Sequence, residues 1–156
     1  MKIYLTMIVQ DDEKIKLLDA TAFRPTAIKQ VKEIHIPNFI KMKQRKICTL
    51  LLCRVDISNQ DFCFLKEYLE HKRKTSADRN KANEMLLTLY NNEEYYQVYS
   101  FSIVTILEIA EYYCKINNIE ITEDNFYDVI QDTVEKFEKD EELFNSMLKE
   151  HLKTIV

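Results

Sequence analysis

Residues 47–57 read ICTLLLCRVDI, and this run decides the fold class. Leu50, Leu51, Leu52, Val55 and Ile57 crowd it without the three- and four-residue spacing of an amphipathic helix. It therefore reads as a strand buried on both faces. Such a strand needs partners, and the chain offers them upstream. Ile3, Leu5 and Met7 alternate with Lys2, Tyr4 and Thr6; Gln10-Asp11-Asp12 supplies turn residues; Ile15 and Leu17 then alternate again. That is the pattern of two short strands.

Outward from these strands the periodicity is helical. Asp19 is expected to cap a short helical turn through Phe23, and Pro25 suits the opening of a helix carrying Ile28, Val31 and Ile34. Phe62, Leu65, Tyr68 and Leu69 mark another, closed by His71-Lys72-Arg73-Lys74. Residues 75–83 (TSADRNKAN) are polar and aperiodic, so residues 75–84 are expected to form a loop between an α/β half (1–74) and a helical half (85–156) of one domain. A short helix is expected around Met85 to Leu89. Residues 94–137 carry two apolar stripes, Ile103, Ile106, Leu107, Ala110 and Tyr113, then Phe126, Ile130, Val134 and Phe137. Asp140 can cap a last helix bearing Leu143, Phe144, Met147, Leu148 and Leu152. Strands come first and only helices follow the loop: an α+β fold.

Composition excludes whole classes of chemistry. The 156 residues contain no glycine, so neither a P-loop nor a dinucleotide-binding turn can be built. The same lack removes the nucleophile elbow around any serine. Paired acids such as Glu93-Glu94 or Asp140-Glu141-Glu142 stand at helix starts, where the dipole favours them without catalysis. Cys48, Cys53, Cys63 and Cys114 form no Cys-x-x-Cys pair, and His35, His71 and His151 are scattered, so reduced core cysteines are expected, with no metal and no cofactor. With no signal peptide and no apolar run of membrane length, a cytoplasmic or nuclear chain without membrane attachment is expected. Residues 1–83 carry 17 basic and 10 acidic side chains, and residues 84–156 carry 5 and 16. Such asymmetry points to partners of opposite sign. The basic run Lys41-Met42-Lys43-Gln44-Arg45-Lys46 lacks interleaved aromatics, so no nucleic acid is expected there.

At three places the chain resembles the Skp family, the BTB/POZ-fold adaptors that join F-box proteins to cullins in SCF ubiquitin ligases, with elongin C as sister branch. Residues 24–33 (RPTAIKQVKE) resemble the family's first BTB helix. Residues 55–72 (VDISNQDFCFLKEYLEHK) resemble its proline-rich strand end and the helix that follows, and residues 92–113 (NEEYYQVYSFSIVTILEIAEYY) its Asp-x-Glu-Phe segment and Leu-rich helix. Residues 128–137 (DVIQDTVEKF) and Glu141-Glu142-Leu143 continue the match. Ile34-His35-Ile36-Pro37-Asn38 imitates the family's Ile-Pro-Leu-Pro-Asn, but residues 55–59 lie beside the helix that should follow and are the better placement. Residues 36–46 look like an insertion.

The resemblance implies a BTB/POZ-type domain with a C-terminal helical extension and a non-enzymatic adaptor function. It implies an F-box-type partner on Ile119, Phe126, Ile130, Val134, Phe137, Leu143, Phe144 and Met147, and a cullin at Glu111 and Tyr112. The chain departs from the family at Glu111, where Asn is usual. It departs again at Asn117 and Asn118, which replace glycine; Asn best tolerates the left-handed backbone such turns require. It ends soon after Leu152, where Skp adaptors carry a further helix covering the F-box, so a weaker hold on that partner is implied. The helical half also resembles the small Bcl-2-like inhibitors of host signalling from poxviruses, which are built from helices alone. A third expectation is homodimerisation through a BTB-type domain.

Overall fold

The computed structural model describes residues 1–11, 14–42 and 45–155. The turn expected at Asp12 and the basic run at Lys43 and Gln44 lie outside them. The chain divides into two compact units, Met1–Ser102 and Ile103–Val156.

The first unit is a four-stranded antiparallel sheet with helices on both faces. Strands β1 (Lys2–Asp11), β2 (Lys14–Thr21), β3 (Thr49–Asp56) and β4 (Tyr96–Phe101) lie in the order β2-β1-β3-β4. The register pairs Leu5 with Ala20 on one side and with Cys53 on the other. Because side chains alternate across a strand, Ile3, Leu5, Met7 and Val9 share one face with Leu51, Cys53 and Val55. This face packs against Leu65 of α3 (Asn59–Glu70) and Ala82, Leu86 and Leu89 of α4 (Ser76–Asn91). Thr6, Leu50, Leu52 and Phe101 occupy the other face and are equally buried. There Phe39 meets Phe101 edge-to-face, with ring centroids 5.9 Å apart. Burial on both faces explains the unbroken Leu50-Leu51-Leu52 run.

Phe39 belongs to a helical segment that changes pitch. Helix α1 (Arg24–Gln30) passes through a π-helical stretch (Val31–His35) into α2 (Ile36–Ile40), the Ile36 N–H reaching back to the Val31 carbonyl. Pro37 supplies the cause. It has no N–H to return and its ring crowds the preceding turn, so the helix widens there.

Three expectations are corrected. Asp19 is in β2 and caps no helical turn; its carboxylate accepts from the Ala20 N–H at 2.9 Å. Residues 75–83 are not a loop: α4 starts at Ser76, with the Thr75 hydroxyl accepting the Asp78 N–H at 3.1 Å. The stretch is polar because most of its residues face outward, with Ala82 alone buried among them. The strand β4 was not legible as such, and Ile47 lies outside β3, in a 3-10 turn (Arg45–Ile47). Of the serines, Ser58 is the cap of α3, its hydroxyl accepting the Asp61 N–H at 3.0 Å.

The second unit is α5 (Ile103–Ile116), α6 (Phe126–Lys139) and α7 (Glu141–Leu152), each packed on the other two. Asp140 caps α7 as expected, accepting from the Leu143 N–H at 3.1 Å. The turn after α5 places Asn118 at φ 56°, the left-handed geometry anticipated for it. The Ile119 N–H there reaches the Cys114 carbonyl at 2.9 Å, closing a Schellman motif. Helix α4 ends the same way, with Glu93 at φ 54° and the Glu94 N–H bonded to the Leu89 carbonyl at 2.9 Å.

Candidate functional site

The candidate partner face lies in the three-helix unit, and its geometry begins with what the helices bury. On α5 the buried side chains are Ile106, Ile109, Ala110, Tyr113 and Cys114, spaced by three and four, with Thr105 beside them. That stripe is shifted from the one expected: Leu107 is 38% exposed, whereas Ile109 and Cys114 point inward. On α6 Ile130, Thr133 and Phe137 are buried, and on α7 Met147 and Leu148.

Aromatic contacts tie the helices together. Phe137 meets Tyr113 edge-to-face at 5.6 Å and Phe144 at 5.4 Å in a tilted arrangement. Such pairs stabilise beyond the area they bury. The Lys136 ammonium donates to the Tyr113 hydroxyl at 2.8 Å and lies 5.3 Å from the ring centroid. That hydrogen bond holds the Lys136 pKa above its ordinary value.

One buried polar pair joins α5 to α6. Cys114 Sγ lies 3.2 Å from Thr133 Oγ1, which itself donates to the Val129 carbonyl at 2.9 Å. With the threonine proton so used, the thiol is the donor and neither member of the pair is orphaned. His151, half-buried on α7, is held below its ordinary pKa by burial, with the Glu108 carboxylate opposing.

The residues assigned to an F-box-type partner fall into three groups. Ile119 and Phe126 are 40% and 45% exposed. Val134, Leu143 and Phe144 are half-buried. Ile130, Phe137 and Met147 are buried, so they are not open to direct contact with a partner of the kind the resemblance implied for them. The physical reason is that three short helices have one small core between them, and these side chains fill it. Glu111 and Tyr112 are exposed on α5, Tyr112 by 50%. Tyr127, next to Phe126, is exposed as well and was not singled out from the sequence. It follows the apolar stripe by one position, so periodicity counts it as solvent-facing and gives no signal.

The cysteines offer no concentrated chemistry. Cys48, Cys53 and Cys114 are buried and Cys63 is exposed, all as free thiols. Burial pushes the Cys53 thiol up to about 12, which keeps it protonated and unreactive. Among the described residues no group of three His, Cys, Asp or Glu side chains could hold a metal ion. No helix among them is long and apolar enough to cross a membrane. No family model, curated protein or solved structure matches the chain.

Proposed function

We propose that the chain is a Skp-type adaptor: a BTB/POZ-type domain with a helical extension that bridges an F-box-type protein to a cullin, without catalysis of its own. The observation that carries this reading is collinearity. Residues 24–33 are α1 and the start of the π-helical turn, residues 55–72 run from the end of β3 through α3, and residues 92–113 hold β4 and most of α5. Residues 128–137 are α6 and Glu141 opens α7. Helices α1, α3, α5 and α6 thus overlap, in chain order, the stretches whose resemblance calls for a helix, which supports the reading.

The exposed residues refine the partner surface. Ile119 and Phe126 are the direct anchors for a partner helix, Val134, Leu143 and Phe144 contribute their exposed edges, and Ile130, Phe137 and Met147 hold the surface in shape from beneath. On the cullin side Tyr112 is the stronger anchor, since aromatic side chains dominate interface energetics and an exposed acid contributes little. The Bcl-2-like alternative expects helices alone, and the four-stranded sheet weighs against it.

The test is co-purification of the tagged chain with an F-box-type protein and a cullin from a eukaryotic lysate. Phe126→Asp should abolish capture of the first while leaving the second, and Tyr112→Ala should weaken cullin capture more than Glu111→Ala. Recovery of neither partner by the unaltered chain would refute the adaptor function. A dimer in light scattering, with neither partner bound, would favour self-association instead.

A further inference from the structure

Strand β2 ends the sheet of the first unit, with β1 its one strand partner among the described residues. Beside it, the end of α3 and the first turns of α4 enclose a cavity of about 260 Å³. Two cations line it, Lys74 from the α3–α4 connection and Arg79 from α4, and no acidic side chain does so among the described residues. Lys16 of β2 borders it as well, but as the partner of Ile8 its side chain belongs to the opposite face of the sheet from Ile15 and Leu17. Its remaining wall is largely apolar, with Leu17, Leu69 and Leu86.

Like charges around one cavity raise the energy of the empty protein and lower that of an anion placed inside it. Arg79 is also unengaged: its guanidinium has no hydrogen-bond or ion-pair partner among the described residues. Lys74 is held in place, its ammonium donating to the His71 carbonyl at 2.7 Å and lying 5.0 Å from the Tyr68 ring centroid. An ammonium has three donors, so this anchoring leaves others for a ligand.

We propose that this cavity binds a phosphate group carried on the side chain of an extended peptide. Two cations, with no acid among the described lining residues, favour a phosphate, which carries about −1.5 to −2 at neutral pH, over a single carboxylate. The volume suits one side chain and not a folded surface. An edge strand can receive an extended peptide through main-chain hydrogen bonds, which would deliver that side chain to the cavity beside β2. Nucleic acid fits less well, because it needs open aromatic faces for stacking. Here Phe64 and Tyr68 stack on each other at 6.2 Å, and Lys81 and Lys74 cover their rings. The site lies wholly in the first unit and does not depend on the adaptor reading.

The experiment is an amide chemical-shift titration of the isotope-labelled full chain with four probes: a degenerate phosphoserine-centred peptide mixture, its unphosphorylated counterpart, inorganic phosphate and a single-stranded oligonucleotide. The phosphopeptides should shift the amides of Lys16, Lys74 and Arg79 at a concentration about tenfold or more below that of the unphosphorylated mixture. Arg79→Ala should weaken that response about tenfold. Lys74→Ala should do the same, and as a change ahead of α4 it serves as the second variant should Arg79→Ala disturb that helix. No shift at these three amides with any probe would overturn the site. Inorganic phosphate acting as strongly as the phosphopeptides would overturn the peptide assignment, and an oligonucleotide acting more strongly would replace it with nucleic acid.

Discussion

Truncating Phe137 to alanine should unfold the three-helix unit at a much lower denaturant concentration, whereas the same change at Phe126 should hardly matter. Phe137 is 5% exposed and is held between Tyr113 and Phe144, with ring centroids at 5.6 and 5.4 Å. Removing a buried phenyl ring costs about 3–5 kcal/mol, through lost transfer energy and the cavity left behind. A unit of three short helices has few other buried groups to absorb that loss. Phe126, 45% exposed and at the first position of α6, should cost about 1 kcal/mol or less. Urea unfolding followed by hydrogen exchange in residues 103–155 measures both changes on the unit concerned. Equal costs at the two positions would refute the division between core and partner surface. So would a loss below about 1 kcal/mol at Phe137.

Glu93→Gly should stabilise the chain by up to about 1 kcal/mol in thermal or urea unfolding, because a left-handed backbone strains a residue with a Cβ and glycine relieves it. Limited trypsin digestion should cut at Lys72, Arg73 or Lys74, ahead of α4, and spare Arg79 and Lys81 within it; Thr75→Ala, which removes the cap, should cost about 1 kcal/mol and open the latter sites. A thiol reagent should label Cys63 at once and Cys53 only on unfolding. The Cys53 thiol titrates near 9 when unfolded and at about 12 when folded. Its contribution is therefore complete below pH 9 and is lost as pH rises from there to 12, at up to about 1.4 kcal/mol per pH unit. Cys53→Val should flatten that alkaline loss in stability curves, and an unchanged slope would refute the assignment.

Much of the architecture was legible in the sequence. Alternation at Ile3, Leu5, Met7, Ile15 and Leu17 determined the hairpin strands, and the unbroken apolar run at Leu50 to Leu52 marked a strand covered on both faces. Asp140 was readable as a cap because its side chain bonds three residues ahead, and Asn118 as a left-handed turn because its side chain tolerates that geometry. These are local properties, set within a few residues of chain.

What failed depended on contacts between elements. Residues 75–83 look aperiodic because only Ala82 among them meets the sheet side, so the helix there is specified by its Thr75 cap and by packing farther along at Leu86 and Leu89. Strand β4 is short and exists by pairing with β3, a partner that lies far back along the chain. On α5 periodicity gave a helix but not which neighbours would cover it, so Leu107 was placed inward and Ile109 missed. Likewise the sequence marked Ile130, Phe137 and Met147 as large and apolar, and only the packing of α5, α6 and α7 decided that they are interior while Phe126 and Tyr127 are surface. The cavity beside β2 is tertiary throughout, since Lys74 and Arg79 meet Leu17 only after β2, α3 and α4 have come together.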